Sequence, residues 1–384
     1  MAEISFRLNG RPTTVSYEDG MHFLEVLRES CGITSVKDGC SPQGVCGCCT
    51  ILLDGKPALA CQLDPVKVAG SEVLTLEGLP DRQRRLLSDA FVREGAVQCG
   101  FCTPGIAMRA AHLINKGLTG DRTRVERGLA GHLCRCTGYN RIVDAIQTAG
   151  EAHREGPEGV EGPPRRPHHF GEDYGFERNA DKPVEDGVGS SCDRYRGRDQ
   201  TLGVKDFVAD MTIDGMLHGS LVLSDHPRAR VTKIDPSKAA EMPGVERILT
   251  AEDIPGVCNH GLIVHDWPLL VAEGETTRYI GDVLAVVVAD TQHRARNAAA
   301  AVKIEYQALD PITSPQAAVA IDAPLIHPAG NLLEVCAFSR GDCDAALAES
   351  AFVVEETFRT QRIEHAFLEP EAGLASPSEP GGLK

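Results

Sequence analysis

The cysteines are the feature that most limits the possible folds of this chain of 384 residues, because ten of the fourteen lie before residue 150. Four of the ten crowd one stretch, GCSPQGVCGCCT, and four more form two close pairs further along. The N-terminal sequence MAEISFRLNG lacks the basic start and apolar run of a secretory signal, so we expect a cytoplasmic, reducing location. Cysteines in such a compartment favour metal binding over disulfides. The sequence therefore predicts metal centres in its N-terminal part.

The composition argues against nucleic-acid and membrane partners. The formal net charge is −16, whereas a nucleic-acid binder needs a basic face to neutralise phosphates. The longest strongly apolar run, Val283–Ala289, is far shorter than the ~20 residues of a membrane-spanning helix. We therefore expect small-molecule or protein partners, with no nucleic acid and no membrane.

The crowded cysteines lie within a predicted sheet that is crossed by one helix. Alternating apolar residues flank Asn9 and Gly10, and this pattern is the strongest short signal for a hairpin. GMHFLEVLRESCG has helical spacing and ends at Gly32, and further strands are predicted in CTILLDGKPALAC and SEVLTLEGL. A β-grasp ferredoxin requires such a frame, and we place this domain at residues 1–78.

The spacing of the first cysteines predicts an iron–sulfur cluster. A plant-type [2Fe–2S] cluster takes three thiolates from one tight loop, usually spaced C-x4-C-x2-C, and a fourth from a distant segment. Cys40, Cys46 and Cys49 give C-x5-C-x2-C, and Cys61 follows twelve residues later. Glycines within the loop allow backbone N–H groups to approach the sulfurs. The first gap is one residue longer than the usual pattern, so the loop geometry is expected to differ from it.

A second cysteine set, Cys99, Cys102, Cys134 and Cys136, lies in a predicted helical domain at residues 79–153. The first pair directly precedes a helix N-terminus, whose positive dipole end favours thiolates. The second pair lies between two predicted helices, and the two helical ends that carry the pairs can enclose one further cluster. Structural zinc is an alternative, because Zn²⁺ also takes four cysteines and C-x2-C is a common half-site. The C-x-C half and the ferredoxin frame argue against zinc.

Four helices are predicted between residues 81 and 153. In the last of them, Ile142 and Ile146 belong to one apolar stripe. TRVERGLAGH begins with a capping box from Thr123 to Glu126, which predicts a helix start at that point.

The chain changes character after the helices. Residues 154–198 are rich in Gly, Pro and charge and predict a linker, in which His168 and His169 are expected to be solvated rather than metal-bound. RYIGDVLAVVVAD, QHRARNAAAAV and VKIEYQAL then predict a βαβ-like unit, and SAFVVEETFRTQRIEHAF predicts more sheet. The four scattered cysteines after residue 150 are expected to be half-buried thiols.

Three stretches together resemble the molybdenum hydroxylases, the xanthine dehydrogenase and aldehyde oxidase family: GCSPQGVCGCCTILLDG, VQCGFCTPG and LCRCTGYNRIVDAI. The resemblance covers essentially all of residues 1–150. Residues 199–312 are similar to the a/b hammerhead domain of that family, and residues 313–384 to the start of its molybdopterin-binding domain. The expected fold class is therefore α+β, with a β-grasp [2Fe–2S] domain, a four-helix [2Fe–2S] domain, a hammerhead domain and part of a molybdenum-binding domain.

The resemblance implies an electron path. In this family a purine or aldehyde is hydroxylated at a molybdenum pterin centre, and electrons leave through two [2Fe–2S] clusters to an acceptor protein. The cluster of the helical domain would lie nearer the pterin, and Gln98 takes a family position close to it. Aligning CTILLDG with the family makes Cys49, rather than Cys48, the third ligand of the first cluster. Relatives are often dimers, so a homodimer is one expected state.

The chain departs from the family pattern in ways that limit which cofactors and which type of relative the resemblance implies. Only the predicted linker stands where many relatives carry a flavin domain, so no FAD is expected. The chain resembles the flavin-free fused type, and the C-x5-C loop and GVGSSCDRYRGRDQTLG are similar to relatives labelled selenium-dependent xanthine dehydrogenases. The alternative is a stand-alone electron-transfer subunit that docks a separate molybdenum subunit.

No catalytic residue is assigned from the sequence. The glycine-rich molybdopterin loop and the catalytic glutamate of the family are expected after residue 384. Glu364, His365 and Glu369 are expected to have structural roles at strand ends.

Overall fold

The computed structural model describes residues 1–156, 192–378 and 382–383. Within this part the chain forms two compact units, one of residues 1–211 with 362–384 and one of residues 212–361. Most of the predicted linker, including His168 and His169, lies outside the described residues. No helix of the described ranges is long and apolar enough to cross a membrane.

A five-stranded sheet opens the first unit. Its strands are β1 (Ala2–Leu8), β2 (Arg11–Tyr17), β3 (Thr50–Leu53), β4 (Lys56–Leu59) and β5 (Glu72–Leu74). The order is β2-β1-β5-β3-β4, with β1 and β5 parallel and the other neighbours antiparallel. Asn9 and Gly10 join β1 to β2 with φ values of 53° and 79°, the left-handed pair that a tight hairpin turn requires.

One short helix packs on this sheet. It begins as α1 (Phe23–Glu25) and continues as a π-helical turn, Val26–Ser30. The Phe23 ring is fully buried and meets Phe6 of β1 edge-on, with 5.3 Å between ring centroids. The helix therefore closes the core under the sheet, and the long loop that follows it carries the first cysteines.

Four helices form the next part of the first unit. They are α2 (Asp81–Arg93), α3 (Thr103–Asn115), α4 (Arg122–Gly128) and α5 (Asn140–Glu155). Ile142 and Ile146 of α5 are fully buried, as the apolar stripe predicts. The predicted capping box at Thr123 is wrong, because the Asp121 side chain accepts the N–H groups of Thr123 and Arg124 and caps α4 two residues earlier.

Residues 197–211, here called the connecting segment, pack onto both parts of the first unit. They begin with α6 (Gly197–Thr201), where Arg198 pairs with Asp89 at 2.6 Å. Phe207 then meets Phe101 edge-on, with 5.2 Å between ring centroids. Asp210 ends the segment as a buried carboxylate.

The second unit contains three small sheets and four helices. Its strands are β6 (His218–Leu223), β7 (Ala229–Asp235), β8 (Val245–Leu249), β9 (Asn259–His260), β10 (Trp267–Pro268), β11 (Val283–Ala289) and β12 (Lys303–Ala308). Its helices are α7 (Ser237–Ala240), α8 (Gln292–Ala301), α9 (Pro315–Ala318) and α10 (Cys343–Glu349). The sheets have the orders β6-β11-β8 and β12-β7, and β9 pairs with β10. The short strands β13 (Pro377–Ser378) and β14 (Gly382–Leu383) belong to the first unit.

Three sequence predictions fail after residue 191. The strands on either side of α8 lie in different sheets and pair antiparallel with their neighbours, so they form no parallel βαβ unit. The apolar pattern of these two strands indicates that they are buried, but burial does not determine which strands they pair with. The segment predicted as further sheet forms no strand, and its Phe352 is 93 % exposed. The four cysteines after residue 150 are exposed rather than half-buried.

Candidate metal centres

The first cysteine set consists of Cys40, Cys46, Cys48, Cys49 and Cys61. The pairing of β3 with β4 determines which of them meet. Thr50 opposes Leu59, and the Ala60 N–H donates to the Cys49 carbonyl at 3.1 Å. This register brings Cys49 beside Cys61, and their thiols hydrogen-bond to each other.

Hydrogen-bond donors surround the remaining sulfurs of the first set. The thiols of Cys48 and Cys40 and the backbone N–H groups of Gly39 and Cys48 reach the sulfur of Cys46. The Cys48 N–H lies 3.5 Å from that sulfur. Because the Cys48 thiol is the strongest of these donors, the pKa of Cys46 is lowered to about 6.

Cys61 has a comparable environment. Its sulfur accepts from the Cys49 thiol, from the Gln62 side chain at 3.8 Å and from the Gly44 backbone. These donors, led by Cys49, lower the pKa of Cys61 to about 7. Both sulfurs are therefore placed among groups that stabilise a thiolate.

Two glycines make room for this loop. A Cβ atom at Gly39 would lie 3.0 Å from the Cys48 sulfur and 3.3 Å from the Cys46 sulfur. Gly47 has a φ of 73°, and a Cβ there would lie 2.4 Å from the Gly131 carbonyl oxygen. The loop can thus wrap sulfur atoms on one side and contact the helical part on the other.

The second cysteine set forms two cross-pairs. Each pair joins one cysteine near the start of α3 with one from the loop before α5. The sulfurs of Cys99 and Cys136 are 3.8 Å apart, and the thiols of Cys102 and Cys134 hydrogen-bond to each other. The Thr137 hydroxyl lies 2.9 Å from the Cys134 sulfur. Cys102 and Thr137, in that order, lower the pKa of Cys134 to about 5.

These two sets fit iron–sulfur clusters by the chemistry of their donors. Each offers at least four thiols, and backbone N–H groups face the sulfurs of Cys46, Cys61 and Cys134. Thiolate ligands with hydrogen bonds to sulfur are the surroundings that such clusters require. Among the described residues, no three His, Cys, Asp or Glu side chains are placed to hold a single metal ion.

The loops that carry the two sets touch each other. The Leu133 N–H, next to Cys134, donates to the Cys46 carbonyl at 2.8 Å. His132 hydrogen-bonds to Thr50 at 3.1 Å, and burial lowers the pKa of its imidazole to about 4, so the ring is neutral. Sequence reasoning missed His132, because no pattern in the chain links it to Thr50.

A cavity of about 480 Å³ adjoins the second set within the first unit. Cys99, Cys102 and Cys136 form one wall, and residues 363–369 contribute the other. Arg135 holds the second wall in place, because its guanidinium donates to the carbonyls of Glu364, at 2.9 Å, and His365.

Two groups of residues that the sequence analysis considered for functional roles lie at or near this cavity. Glu364, His365 and Glu369 line it and lie outside any strand, so the predicted strand-end position is wrong. Gln98 directly precedes Cys99 in the chain, and its side chain is exposed. The Gln98 carbonyl accepts from Gln200 of the connecting segment at 3.5 Å.

Three family models match the chain. The [2Fe-2S] binding domain matches residues 75–147, the aldehyde oxidase and xanthine dehydrogenase a/b hammerhead domain matches residues 202–310, and the molybdopterin cofactor-binding domain matches residues 326–384. The second wall of the cavity falls within the last of these stretches.

Relatives extend the match over almost the whole chain. The aldehyde oxidoreductase of Megalodesulfovibrio gigas is 33 % identical over 373 residues, which are 93 % of this chain and 39 % of that protein. The nicotinate dehydrogenase small FeS subunit of Eubacterium barkeri is 40 % identical over 149 residues, 38 % of this chain and 94 % of the subunit. The crystal structure of the aldehyde oxidoreductase from Desulfovibrio desulfuricans superposes with a TM-score of 0.81 at 31 % identity, over 100 % of this chain and 42 % of that one.

Iron–sulfur and molybdopterin-binding domains joined in one chain define a class of molybdenum oxidoreductases. The chain belongs to the aldehyde oxidase and xanthine dehydrogenase family, which confirms the resemblance seen in the sequence. It spans about two fifths of the length of the aldehyde oxidoreductases that it matches.

Proposed function

We propose that this chain is the electron-transfer portion of a molybdenum-dependent hydroxylase, which passes electrons from a molybdenum pterin through two [2Fe–2S] clusters to an external acceptor protein. The cavity beside the second cysteine set carries this proposal. Its two walls combine thiols of that set with residues matched by the molybdopterin cofactor-binding model. A pterin seated there would lie in contact with cluster ligands, and Gln98 is our candidate for a further pterin contact.

The ligand sets follow from the thiol pairs. Cys40, Cys46, Cys49 and Cys61 would hold the first cluster, and Cys99, Cys102, Cys134 and Cys136 the second. When bound, a [2Fe–2S] cluster accepts and releases one electron at a time. Backbone N–H groups of the cysteine loops would donate to ligand sulfurs, and the Leu133–Cys46 hydrogen bond joins the loop of one set directly to the loop of the other.

The domain organisation belongs to the same proposal. Residues 1–78 form the β-grasp domain, 79–153 the four-helix domain, 199–312 the hammerhead domain and 313–384 the start of the molybdenum-binding domain, with a linker at 154–198. The sheet order, the four helices and the matched stretches support these assignments.

The remaining features of the proposal rest on the relatives and on the sequence. The substrate class is a purine or an aldehyde, which is compatible with the names of the relatives. A homodimer is one proposed state of the assembled enzyme. No FAD is bound by this chain. A second polypeptide that supplies further molybdenum-binding residues is the alternative to a single longer chain.

The deciding experiment is a metal analysis of the chain purified without oxygen. We expect about four irons and a matching amount of labile sulfide per chain, with two EPR signals after reduction, because each centre is a [2Fe–2S] cluster. The Cys258→Ala variant, which removes an exposed thiol of the second unit, serves as the control and should keep both signals. Zinc without iron would contradict the proposal.

A further inference from the structure

His132 is the side chain through which the helical part of the first unit reaches the loop of the first cysteine set. It lies two residues before Cys134, and only 7 % of it is exposed. A Cβ atom at Gly47 would lie 2.8 Å from the Cδ2 atom of its ring, so the imidazole packs on the backbone between Cys46 and Cys48. The ring thus contacts the first loop, while its own backbone leads into the second set.

The direction of the hydrogen bond between His132 and Thr50 follows from the protons that are present. The Thr50 hydroxyl has one proton and donates it to the Gly47 carbonyl at 2.7 Å. The Thr50 oxygen therefore accepts from Nε2 of His132 at 3.1 Å. Within the described ranges, Nδ1 of His132 has no hydrogen-bond partner, so Thr50 is the one polar partner of the ring there. Thr50 directly follows Cys49 in the chain.

The backbone around His132 is also held by the hydroxyl of Tyr139. This hydroxyl accepts the Cys134 N–H at 2.8 Å and donates to the His132 carbonyl at 3.1 Å. The Leu133 N–H donates to the Cys46 carbonyl at 2.8 Å. This short stretch is therefore bound to the helical part by one hydroxyl and to the first loop by two hydrogen bonds, one from a side chain and one from the backbone.

Resting on the proposed function, we propose that His132 is a positioning residue that fixes the separation of the two centres through its hydrogen bond to Thr50. Groups that are hydrogen-bonded next to metal ligands orient those ligands. This bond joins the residue after Cys49 to the stretch before Cys134, so it restrains ligands of both centres. One electron passes from the reduced second centre to the oxidised first centre, no bond forms or breaks, and the step depends on how far apart the centres are held.

The test compares His132→Phe and His132→Gln with the wild-type chain, all purified without oxygen and fully reduced. Phenylalanine keeps an aromatic ring on Gly47 without a donor, whereas glutamine keeps an N–H donor. We expect all three proteins to contain about four irons per chain. The magnetic interaction between the two EPR signals falls steeply with the separation of the centres. It should be weaker in His132→Phe and close to the wild-type value in His132→Gln.

Hydrogen exchange gives a second readout that does not depend on iron. The Leu133 N–H exchanges when its hydrogen bond to Cys46 opens. Loss of the neighbouring bond between His132 and Thr50 should raise the exchange rate of this amide about fivefold, the effect of one hydrogen bond. Mass spectrometry of the peptide that contains Leu133 measures this rate in the wild type and in both His132 variants.

His112→Phe is the matched control. Nδ1 of His112 lies 3.2 Å from the Gly55 carbonyl oxygen, so this variant also removes a histidine contact between a helix and the sheet. The contact lies at the turn between β3 and β4 rather than at the cysteine loops. His112→Phe should therefore change neither the magnetic interaction nor the exchange of Leu133.

Thr50→Val and Thr50→Ser cover the case in which His132→Phe folds poorly, because they change the acceptor instead of the ring. Thr50→Val should resemble His132→Phe, and Thr50→Ser should resemble the wild type. An unchanged magnetic interaction in His132→Phe and Thr50→Val would overturn the proposal. Equal weakening in His132→Phe and His132→Gln would also overturn it, because ring packing would then be responsible. A wild-type chain without iron would instead overturn the proposed function.

Discussion

At the scale of single residues, strand register distinguishes two adjacent cysteines of the first set. Cys49 immediately precedes β3, and the β3–β4 pairing places it beside Cys61. The Cys48 sulfur instead lies 4.0 Å from the Cys46 carbonyl oxygen. The crowded sequence allowed either neighbour to be the ligand, and only the resemblance to the family favoured Cys49 before the pairing was known.

Cys49→Ala should therefore lose the first centre and keep the second. We expect iron to fall from about four to about two per chain, with one of two EPR signals retained. Iron analysis and EPR of the reduced protein measure this directly, with Cys31→Ala as the control. Full iron content in Cys49→Ala would show that the register is shifted by one residue.

At the scale of elements, the N-terminal turn of α3 is the part on which the first loop rests. A Cβ atom at Gly105 would lie 2.4 Å from the Gly47 carbonyl oxygen and 2.8 Å from that of Cys48. The helix and the loop can approach this closely because position 105 has no side chain. Both contacts are with backbone, which cannot rotate away as a flexible side chain can.

Gly105→Ala should therefore push the first loop away from α3. We expect a loss of about 1–3 kcal/mol in the free energy of unfolding, as for other overpacked sites, and a change in the EPR signal of the first centre. Gly120→Ala is the matched control, because a Cβ there meets no atom within 4 Å. Urea unfolding and EPR of both variants provide the comparison, and equal behaviour of the two would contradict this account.

Elements with a local signal could be predicted, whereas long-range partners could not. The Asn9-Gly10 turn and the buried stripe of α5 depend on neighbouring residues, and both occur as expected. The strands around α8 were identified as strands, but their antiparallel partners lie far away in sequence. The cysteine spacing identified the ligand candidates, while the contact of His132 with Thr50 spans 82 positions and has no sequence signal.

At the scale of the whole molecule, one buried ion cluster joins distant parts of the first unit. Asp210 of the connecting segment pairs with Lys37, and with Arg28 at 2.8 Å. The side chains of Lys37 and Asp210 are each 1 % exposed. Burial lowers the pKa of Lys37, and it would raise that of Asp210, but the donated hydrogen bonds hold the Asp210 pKa below its usual value.

Asp210→Asn should destabilise the chain by about 3–5 kcal/mol near neutral pH, because it leaves Lys37 as a buried charge without its counter-ion. The folded pKa of Asp210 lies below its unfolded value, so its stabilisation is present above about pH 4 and is lost as the pH falls through the folded pKa. The difference between Asp210→Asn and the wild type should therefore shrink in acid. Urea unfolding across pH measures this.

Two further variants check the assignment. Asp199→Asn breaks an exposed pair with Arg196 and should cost less than about 1 kcal/mol. The double variant Lys37→Met with Asp210→Leu removes the two fully buried charges, and Arg28 keeps its hydrogen bonds to the Thr34 and Val36 carbonyls. It should therefore recover part of the lost stability. A double variant as unstable as Asp210→Asn would show that packing, rather than the unpaired charge, is responsible.

The connecting segment also determines where this polypeptide can be divided. A shorter chain that stops after α5 would leave the Lys37 ammonium without Asp210, and Phe101 without the ring of Phe207 that covers it. A chain that stops at Met211 retains both contacts and gives up only residues 362–384 of the same unit. Dissection of the protein into working pieces should therefore begin at residue 211 rather than at the end of the last helix.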